Sequence, residues 1–257
     1  MNNSKQQLIN KFKEITKLKW VNGINNSTNS VGLTFEKLLK KDIDSMYFPD
    51  YYGIEIKCTQ RFSRYPIKLF SIAFDGPRLY EMNRLLNTYG LPDIKYHDKL
   101  QLQGAIYVNK LNKINNHYFK IKIDHKNQKL IICVYDENLK LLEEETYLDF
   151  QTLKLRITLK LSTMAMVYAS KKKEEQLKFR YYKILIYKLK SFDRFIDLLE
   201  KDFISMSLIG RIARSGIEEG RQKNQNLVFS LPKDCIELLF EKEIEYNADL
   251  YDKYMVQ

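Results

Sequence analysis

The sequence predicts a mixed α/β protein with a central β-sheet flanked by helices. Three observations support this fold class. Helix-like and strand-like hydrophobic patterns alternate along the chain, which is typical of layered α/β architectures. The composition, 44% hydrophobic and 29% charged over 257 residues, is that of an ordinary globular protein. Only five prolines and nine glycines occur, so no flexible linker is visible, and the length fits one large domain or two small ones.

Five segments are predicted to be helical because apolar residues recur every three to four positions. The first has Leu8, Phe12 and Ile15 on one face, and Ser30 and Ser191 are suitable N-caps for two others. Prolines open the remaining two. The predicted helices cover residues 4–19, 30–41, 77–88, 191–200 and 232–240.

Runs rich in β-branched and aromatic residues predict the strands. Those in the middle of the chain follow one another closely and suggest a meander. The predicted strands cover residues 54–59, 67–74, 105–108, 118–123, 129–135, 141–147, 164–169, 181–187, 203–212 and 227–231.

The charge balance favours a polyanionic partner. Lysine and arginine total 43 against 32 acids, a net charge of +11 with a pI near 9.3. Nucleic acid is the leading candidate, and the alternative is a lysine-rich surface without a partner. Residues 237–257 carry a net charge of −4, so we expect this acidic end to point away from a polyanion.

Several classes of protein are not expected. No run of 18 apolar residues exists, and the N-terminus lacks the apolar core of a signal peptide. Three cysteines and three histidines lack the spacing of a disulfide framework or a zinc site. The sequence therefore predicts a reduced, cytoplasmic protein.

Residues 48–57, Phe-Pro-Asp-Tyr-Tyr-Gly-Ile-Glu-Ile-Lys, combine groups that can carry chemistry. In a strand, Glu55 and Lys57 share one face, and Asp50 precedes a turn at Gly53 that can bring it back toward Glu55. Two converging carboxylates bind a hard cation such as Mg²⁺, and a nearby lysine can help to deprotonate an attacking water. These groups suit metal-assisted phosphodiester hydrolysis. The alternative is a solvated strand face with a salt bridge.

Asp50, Glu55 and Lys57 resemble the PD-(D/E)xK nuclease signature. Val31–Leu39, Val-Gly-Leu-Thr-Phe-Glu-Lys-Leu-Leu, resembles the glycine-led helix motif that precedes this signature in the MvaI/BcnI restriction endonucleases and their MutH-like relatives. Further similarity follows in the same order, so that it covers most of the chain. These later blocks lie at residues 67–77, 192–200, 203–216 and 228–240.

The resemblance implies a PD-(D/E)xK fold and a Mg²⁺-dependent type II restriction endonuclease. Such an enzyme hydrolyses double-stranded DNA at a short specific sequence and leaves a 5′-phosphate and a 3′-hydroxyl. Glu36 would join the two acids and the lysine in the active site, with Asp50, Glu55 and the main chain of Ile56 as metal ligands. Glu36 could instead be an exposed helical residue paired with the lysine four positions on.

Ten residues are candidates for contacts with DNA. The arginines that follow the catalytic strand could touch phosphates or bases, and residues 211–226 could form a two-stranded ribbon that enters the major groove, where arginine reads guanine and asparagine or glutamine reads adenine. Ordinary surface positions and a polar hairpin loop are the alternatives. The candidates are Arg61, Arg64, His97, Lys172, Arg211, Arg214, Arg221, Lys223, Asn224 and Gln225.

The chain departs from the family pattern at the end of this ribbon. The family would have a His-Gly pair before the 228–231 strand, whereas this chain has Lys-Asn-Gln-Asn at 223–226. Related enzymes cut sites of the CC-N-GG kind, so the departure leaves the recognition sequence open.

We predict a single nuclease domain over residues 1–257. Its catalytic lobe lies mainly in residues 1–110, its strand-rich DNA-recognition lobe in 111–240, and its acidic tail in 241–257. The sequence contains no heptad seam of the kind that would form an obligate dimer, so a monomer is expected. A companion DNA methyltransferase is expected in the same system, without direct contact. The alternatives are a MutH-like nickase activated by a partner and a non-cleaving DNA-binding protein on the same scaffold.

Overall fold

The computed structural model describes residues 3–39, 48–214, 216 and 218–249. The described chain is a mixture of helices and β-strands, as predicted. Its helices are α1 (Asn3–Lys17), α2 (Ser30–Leu38), α3 (Glu81–Tyr89), α4 (Phe150–Leu161), α5 (Phe192–Glu200) and α6 (Ile236–Leu239), with a 3₁₀ turn at Lys233–Cys235. Its strands are β1 (Val21–Asn22), β2 (Glu55–Gln60), β3 (Ile67–Ile72), β4 (Leu91–Pro92), β5 (Leu100–Ile106), β6 (Asn112–Ile114), β7 (His117–Asp124), β8 (Lys129–Tyr135), β9 (Leu141–Glu143), β10 (Tyr147–Asp149), β11 (Thr163–Lys173), β12 (Leu177–Leu189), β13 (Ser205–Ile212), β14 (Gln222–Leu231) and β15 (Phe240–Asn247).

The chain forms two compact units that alternate along the sequence. The first comprises the described parts of residues 1–65, 157–190 and 236–257, and the second comprises residues 66–156 and the described parts of 191–235. These boundaries differ from the expected division near residue 110. The reason is that strands remote in sequence pair within each unit, which a linear division of the chain cannot represent.

The first unit is built on a five-stranded sheet. Its strand order is β1-β12-β11-β2, with β15 also paired to β12. Strand β2 runs parallel to β11, with Glu55 opposite Met164 and Lys57 opposite Met166, and the other pairs are antiparallel. Helices α1 and α2 contribute Leu8, Phe12 and Phe35 to the fully buried core beside this sheet.

The second unit contains two antiparallel sheets. One has the order β3-β14-β13-β5-β4, and the other has the order β10-β8-β7-β6 with β9 paired to β8. The latter contains the predicted meander strands at 118–123 and 129–135, and the segment predicted at 141–147 is two short strands. The strand predicted at 105–108 as the start of this meander overlaps β5, which lies in the other sheet. Helix α5 begins after Ser191, whose side chain caps it by accepting the Arg194 N–H at 3.0 Å. Phe195 of this helix packs on Phe70 of β3 and Phe229 of β14.

Two predicted helices differ from the structure by more than their last turn. Helix α3 begins at Glu81 rather than at Pro77, because Tyr80 has φ of 61°, a left-handed conformation that cannot continue a right-handed helix. The segment predicted as a helix over 232–240 is a 3₁₀ turn followed by the four-residue α6.

Residues 240–247 form strand β15 and are not part of a tail. Phe240, Ile244 and Tyr246 alternate with polar residues, which is a strand pattern. Tyr246 packs edge-on against Phe12, with ring centroids 5.9 Å apart. Hydrophobic packing therefore holds this acidic segment in the sheet, despite its charge.

Candidate active site

A tight turn brings Asp50 back onto the strand that carries Glu55. Tyr51 and Ile54 exchange two backbone hydrogen bonds, of 2.9 and 2.8 Å, across this turn. Gly53 has φ of +86°, a conformation that glycine adopts without a steric penalty. The Asp50 carboxylate then accepts the N–H of Ile56 at 2.8 Å through Oδ2. The predicted return of Asp50 toward the strand is present in the structure.

Glu55 is at the centre of the site. Its residue surface is only 2% exposed, and its two carboxylate oxygens each accept from a different ammonium. Lys57 Nζ lies 2.6 Å from Oε1, and Lys160 Nζ lies 2.7 Å from Oε2. Glu55 and Lys57 thus lie on one face of β2, as the alternation of a strand requires. On the opposite face, Ile54 and Ile56 are buried in the core.

Glu36 belongs to the same electrostatic cluster. Burial raises the pKa of Glu36, and the negative charge of Asp50 raises it further, while Lys57 opposes the rise. Burial likewise raises the pKa of Asp50, with the charge of Glu55 as the next cause. The charges of Glu36, Asp50 and Glu55 therefore influence one another where helix α2 contacts β2. The alternative pairing of Glu36 with residue 40 lies outside the described residues.

The donor set is chemically suited to Mg²⁺. Among the described residues, no group of three histidine, cysteine or acidic side chains forms a metal cluster. Mg²⁺ does not need one, since proteins usually hold it with one or two carboxylates while it keeps several waters. In an extended strand, the N–H and C=O of one residue point to the same side. The Ile56 carbonyl therefore points toward the side on which Asp50 accepts the Ile56 N–H.

Lys160 is a residue of the candidate site that the sequence does not predict. It lies on α4, its side chain is 8% exposed, and it also donates to the Phe48 carbonyl at 2.7 Å. Residues 153–161 alternate strictly between apolar and polar, which resembles a strand and hides the helix. The signal that could have found α4 is the spacing of Leu153, Ile157 and Leu161, which are fully buried one helical turn apart.

The candidate DNA-contact residues in the first unit differ in whether their side chains already contact other groups. Arg61 has its guanidinium 5.7 Å from the Phe62 ring centroid and 5.6 Å from that of Tyr182. Arg64 is exposed in the same loop. Lys172 pairs with Glu174 at 2.7 Å and lies over the ring of Trp20, 4.7 Å from its centroid. A phosphate that binds Lys172 must therefore compete with these two contacts.

The predicted recognition ribbon is the β13–β14 hairpin. Arg211 is exposed on β13, and Lys223 on β14 pairs with Glu218 in the connecting loop. Arg221 follows the turn that ends at Gly220, where φ is +79°. His97 is exposed in the loop between β4 and β5. The side chains of Asn224 and Gln225 lie outside the described part of the chain, so their predicted contacts remain predictions.

Arg214 braces this hairpin against the 93–99 loop. Its guanidinium donates two parallel hydrogen bonds to the Asp93 carboxylate, and the bond from Nη1 to Oδ1 is 2.7 Å long. The same loop supplies further contacts, since Tyr96 donates to Glu219 at 3.0 Å and Lys99 donates to the Gly220 carbonyl. The Asp93 contact occupies the planar fork that the predicted guanine contact of Arg214 would use.

Removal of the Asp93 charge is expected to weaken this brace in a pH-dependent way. Asp93 is buried, and the hydrogen bonds from Arg214 lower its pKa to about 2 from the usual 3.8. Its contribution to stability is therefore complete above pH 3.8 and is lost as the pH falls toward 2. Asp93→Asn should lower the free energy of unfolding at neutral pH, and its gap to the wild type should close over that window. Urea unfolding against pH measures this.

Asp98→Asn serves as the matched control, because it removes an exposed acid from the same loop. A gap between Asp93→Asn and the wild type that stays constant down to pH 2 would show that the Asp93 charge does not support the fold.

Comparison with known proteins indicates the same family as the sequence motifs. The sequence profile of the MvaI/BcnI restriction endonuclease family matches residues 9–240, which is most of the chain and includes every residue of the site. The chain belongs to this family. The site-specific DNA endonuclease predicted from the sequence, a type II restriction endonuclease, is thereby confirmed. A search of curated proteins gives no match.

Two solved structures of MvaI resemble this family member. The complex of restriction endonuclease MvaI with its cognate DNA substrate has a TM-score of 0.88 at 22% identity, and MvaI in the absence of DNA has a TM-score of 0.59 at 24% identity. In each case the match covers 95% of this chain and 98% of the other. The likeness shows that this chain has the fold of those structures, which is consistent with the predicted PD-(D/E)xK-like fold. No helix in the described ranges is long and apolar enough to cross a membrane.

Proposed function

We propose that this endonuclease hydrolyses double-stranded DNA with Mg²⁺, through Glu36, Asp50, Glu55 and Lys57, and leaves a 5′-phosphate and a 3′-hydroxyl. The observation that carries the proposal is the convergence of Asp50 and Lys57 on the buried Glu55 within a chain of this family. Of the two lysines that contact Glu55, Lys57 is the more accessible to solvent, since 21% of its side chain is exposed, against 8% for Lys160.

The residues that would hold Mg²⁺ are Asp50, Glu55 and the carbonyl of Ile56. When bound, the ion supplies charge neutralisation at the phosphate and lowers the pKa of a water. Asp50 is fixed for this role by the Ile56 N–H, and Glu55 is fixed by its two ammonium contacts. Preorganised carboxylates avoid the cost of ordering them when DNA arrives.

Lys57 would stabilise negative charge on the phosphate, and Glu36 would accept a proton. The Lys57 ammonium can donate to a phosphate oxygen or orient the attacking water from the exposed side of Glu55. The raised pKa of Glu36, caused by burial and by Asp50, makes its carboxylate a better proton acceptor than an ordinary glutamate.

A single digestion experiment tests the proposal. DNA of mixed sequence is incubated with the protein and Mg²⁺, and the new ends are sequenced and treated with phosphatase or ligase. Cleavage at one short sequence with ligatable 5′-phosphate ends is expected, and a chelator should stop it. Cuts confined to one strand that require an added protein would indicate a MutH-like nickase, and binding without cuts would indicate a DNA-binding protein.

Arg221 and Lys172 are proposed to contribute to DNA binding in different ways. Arg221→Ala is expected to lose about 1–3 kcal/mol of discrimination at one base position if this arginine makes a bidentate guanine contact. Lys172→Met should weaken binding evenly across sequences and reduce the salt-dependence slope by about 1, because phosphate contacts carry no sequence information. Binding-site selection and salt titration of each variant measure the two effects.

Trp20 provides an independent readout for Lys172. It is the only tryptophan of the chain, and the Lys172 ammonium lies over its ring. Movement of Lys172 onto a phosphate should change the tryptophan fluorescence of the wild type on DNA binding, and Lys172→Met should abolish that change.

An unaltered sequence preference in Arg221→Ala would show that the Arg221 side chain does not read a base.

The remaining DNA contacts follow from exposure and charge. Arg61, Arg64, His97, Arg211 and Lys223 present basic or polar groups that suit phosphates or base edges. We propose a monomeric, cytoplasmic enzyme. A DNA methyltransferase in the same system would protect the host sites without direct contact.

A further inference from the structure

Lys160 is a buried cation with two hydrogen-bond acceptors and a second carboxylate nearby. Its Nζ lies 2.7 Å from Glu55 Oε2, 2.7 Å from the Phe48 carbonyl and 4.0 Å from Asp50 Oδ1. Its side chain is 8% exposed. Lysine is almost never this buried unless it is paired, and here the partners are the residues that form the proposed metal site.

Lys160 adds a side-chain link between two segments. One is the chain at Phe48–Asp50, which leads into the turn, and the other is strand β2 at Glu55. Lys57 contacts Glu55 as well, but it does not share the Phe48 contact and is more exposed. Lys160 therefore joins both ends of the turn that positions Asp50, in addition to the Asp50–Ile56 hydrogen bond and the Tyr51–Ile54 backbone pair.

The charge of Lys160 also balances the site. Glu36, Asp50 and Glu55 lie close enough to affect one another, and two ammoniums face them. With both Glu55 oxygens accepting from ammoniums, a divalent cation that approaches Glu55 meets positive charge already in place. At a separation of about 4 Å, such repulsion is substantial in a partly buried site.

We infer that Lys160 is a positioning residue that acts as an internal counter-ion: it holds Glu55 and the Phe48–Asp50 segment in their working arrangement before any divalent cation binds, and it limits the affinity of the site for that cation. The inference rests on the proposed Mg²⁺ site. It assigns Lys160 no proton transfer and no contact with the DNA.

Removal of the ammonium should have two linked effects. Lys160→Met keeps a long apolar stem and loses the charge, so the cation-free protein should be less stable, because a buried carboxylate loses a partner. The same loss makes the site more negative. Its affinity for a divalent cation should therefore rise by about tenfold or more, and saturating cation should recover more thermal stability in the variant than in the wild type.

The test uses the full chain without DNA, so that cleavage plays no part. Ca²⁺, a hard cation that takes oxygen ligands, is titrated by calorimetry, and Tm is measured across the same concentrations. Lys154→Met is the matched control, because it removes one charge from an exposed position of the same helix. We expect the Ca²⁺ affinity of Lys160→Met to exceed that of both the wild type and the control.

A second variant covers the case in which Lys160→Met does not fold without a cation. Refolding of that variant by Ca²⁺, followed by circular dichroism, would itself support the inference. If Lys160→Met stays unfolded at every Ca²⁺ concentration, Lys160→Arg decides. It keeps the charge, so its Ca²⁺ affinity should remain within about threefold of the wild type, and a rise of tenfold would overturn the inference.

The outcomes separate this inference from the proposed function. A wild type that binds no divalent cation, with or without DNA, would contradict the Mg²⁺ site itself. A wild type that binds Ca²⁺ together with a folded Lys160→Met that binds it no more tightly would leave the metal site intact and overturn the role of Lys160.

Discussion

Glu55→Gln is expected to reduce the DNA cleavage rate by about three orders of magnitude while DNA binding persists. Removal of one group that stabilises charge or transfers a proton costs on the order of 10²–10⁴ in rate. Asp50→Asn and Lys57→Met should have effects of the same order. Affinity for DNA comes mainly from the basic surface, so loss of a carboxylate should leave it unchanged or raise it slightly, and loss of Lys57 should lower it slightly. Single-turnover cleavage and binding in Ca²⁺ measure the two quantities.

The variants need a control for folding, because Glu55 is buried between two ammoniums. Thermal unfolding shows whether each variant is folded at the assay temperature. Glu175→Gln removes an exposed carboxylate from the loop between β11 and β12 and should cleave like the wild type. A folded Asp50, Glu55 or Lys57 variant with a near-normal cleavage rate would refute the proposed active site.

The sequence predicts the proximity of Asp50, Glu55 and Lys57 because these candidate residues are close in the chain. Asp50, Glu55 and Lys57 lie within eight positions, so a turn and the alternation of a strand suffice to bring them together. Glu36 is more distant, and its placement depends on the resemblance to the family. In the structure, burial raises the pKa of Glu36 and the charge of Asp50 raises it further.

Lys160 could not be found in this way. It lies 105 positions from Glu55, and the two meet only because α4 packs its end against the first sheet. Sequence periodicity hides α4, since Leu155 and Leu159 complete a strand-like alternation although both are substantially exposed. The helix forms because burial of every fourth residue outweighs that local pattern.

The β13–β14 hairpin, proposed to contact DNA, shows a second limit of prediction from sequence. Residue type marks Arg214 as a candidate base reader, but the buried carboxylate that binds its guanidinium is 121 positions away. Tertiary pairing decides whether an arginine is available, and composition cannot report it. The hairpin itself, by contrast, was predictable from two strand patterns around a polar loop, and β13 and β14 confirm it.

The manner in which both DNA strands are cut gives a large effect that needs no mutation. The chain contains one Asp50-Glu55-Lys57 set, and we propose that it acts as a monomer. One active site can hydrolyse one phosphodiester bond in each engagement. A monomer must therefore cut one strand, release or turn round, and then cut the other.

A supercoiled plasmid with one recognition site should accordingly pass through an open-circular form before it becomes linear. At limiting enzyme, the rate of both steps should increase in proportion to enzyme concentration, without a second-order phase. Light scattering of the protein–DNA complex provides an independent measurement, in which one protein chain per site is expected. Direct linearisation with little nicked intermediate, together with two chains per site, would exclude the monomer, because two active sites acting in one complex cut both strands in a single encounter.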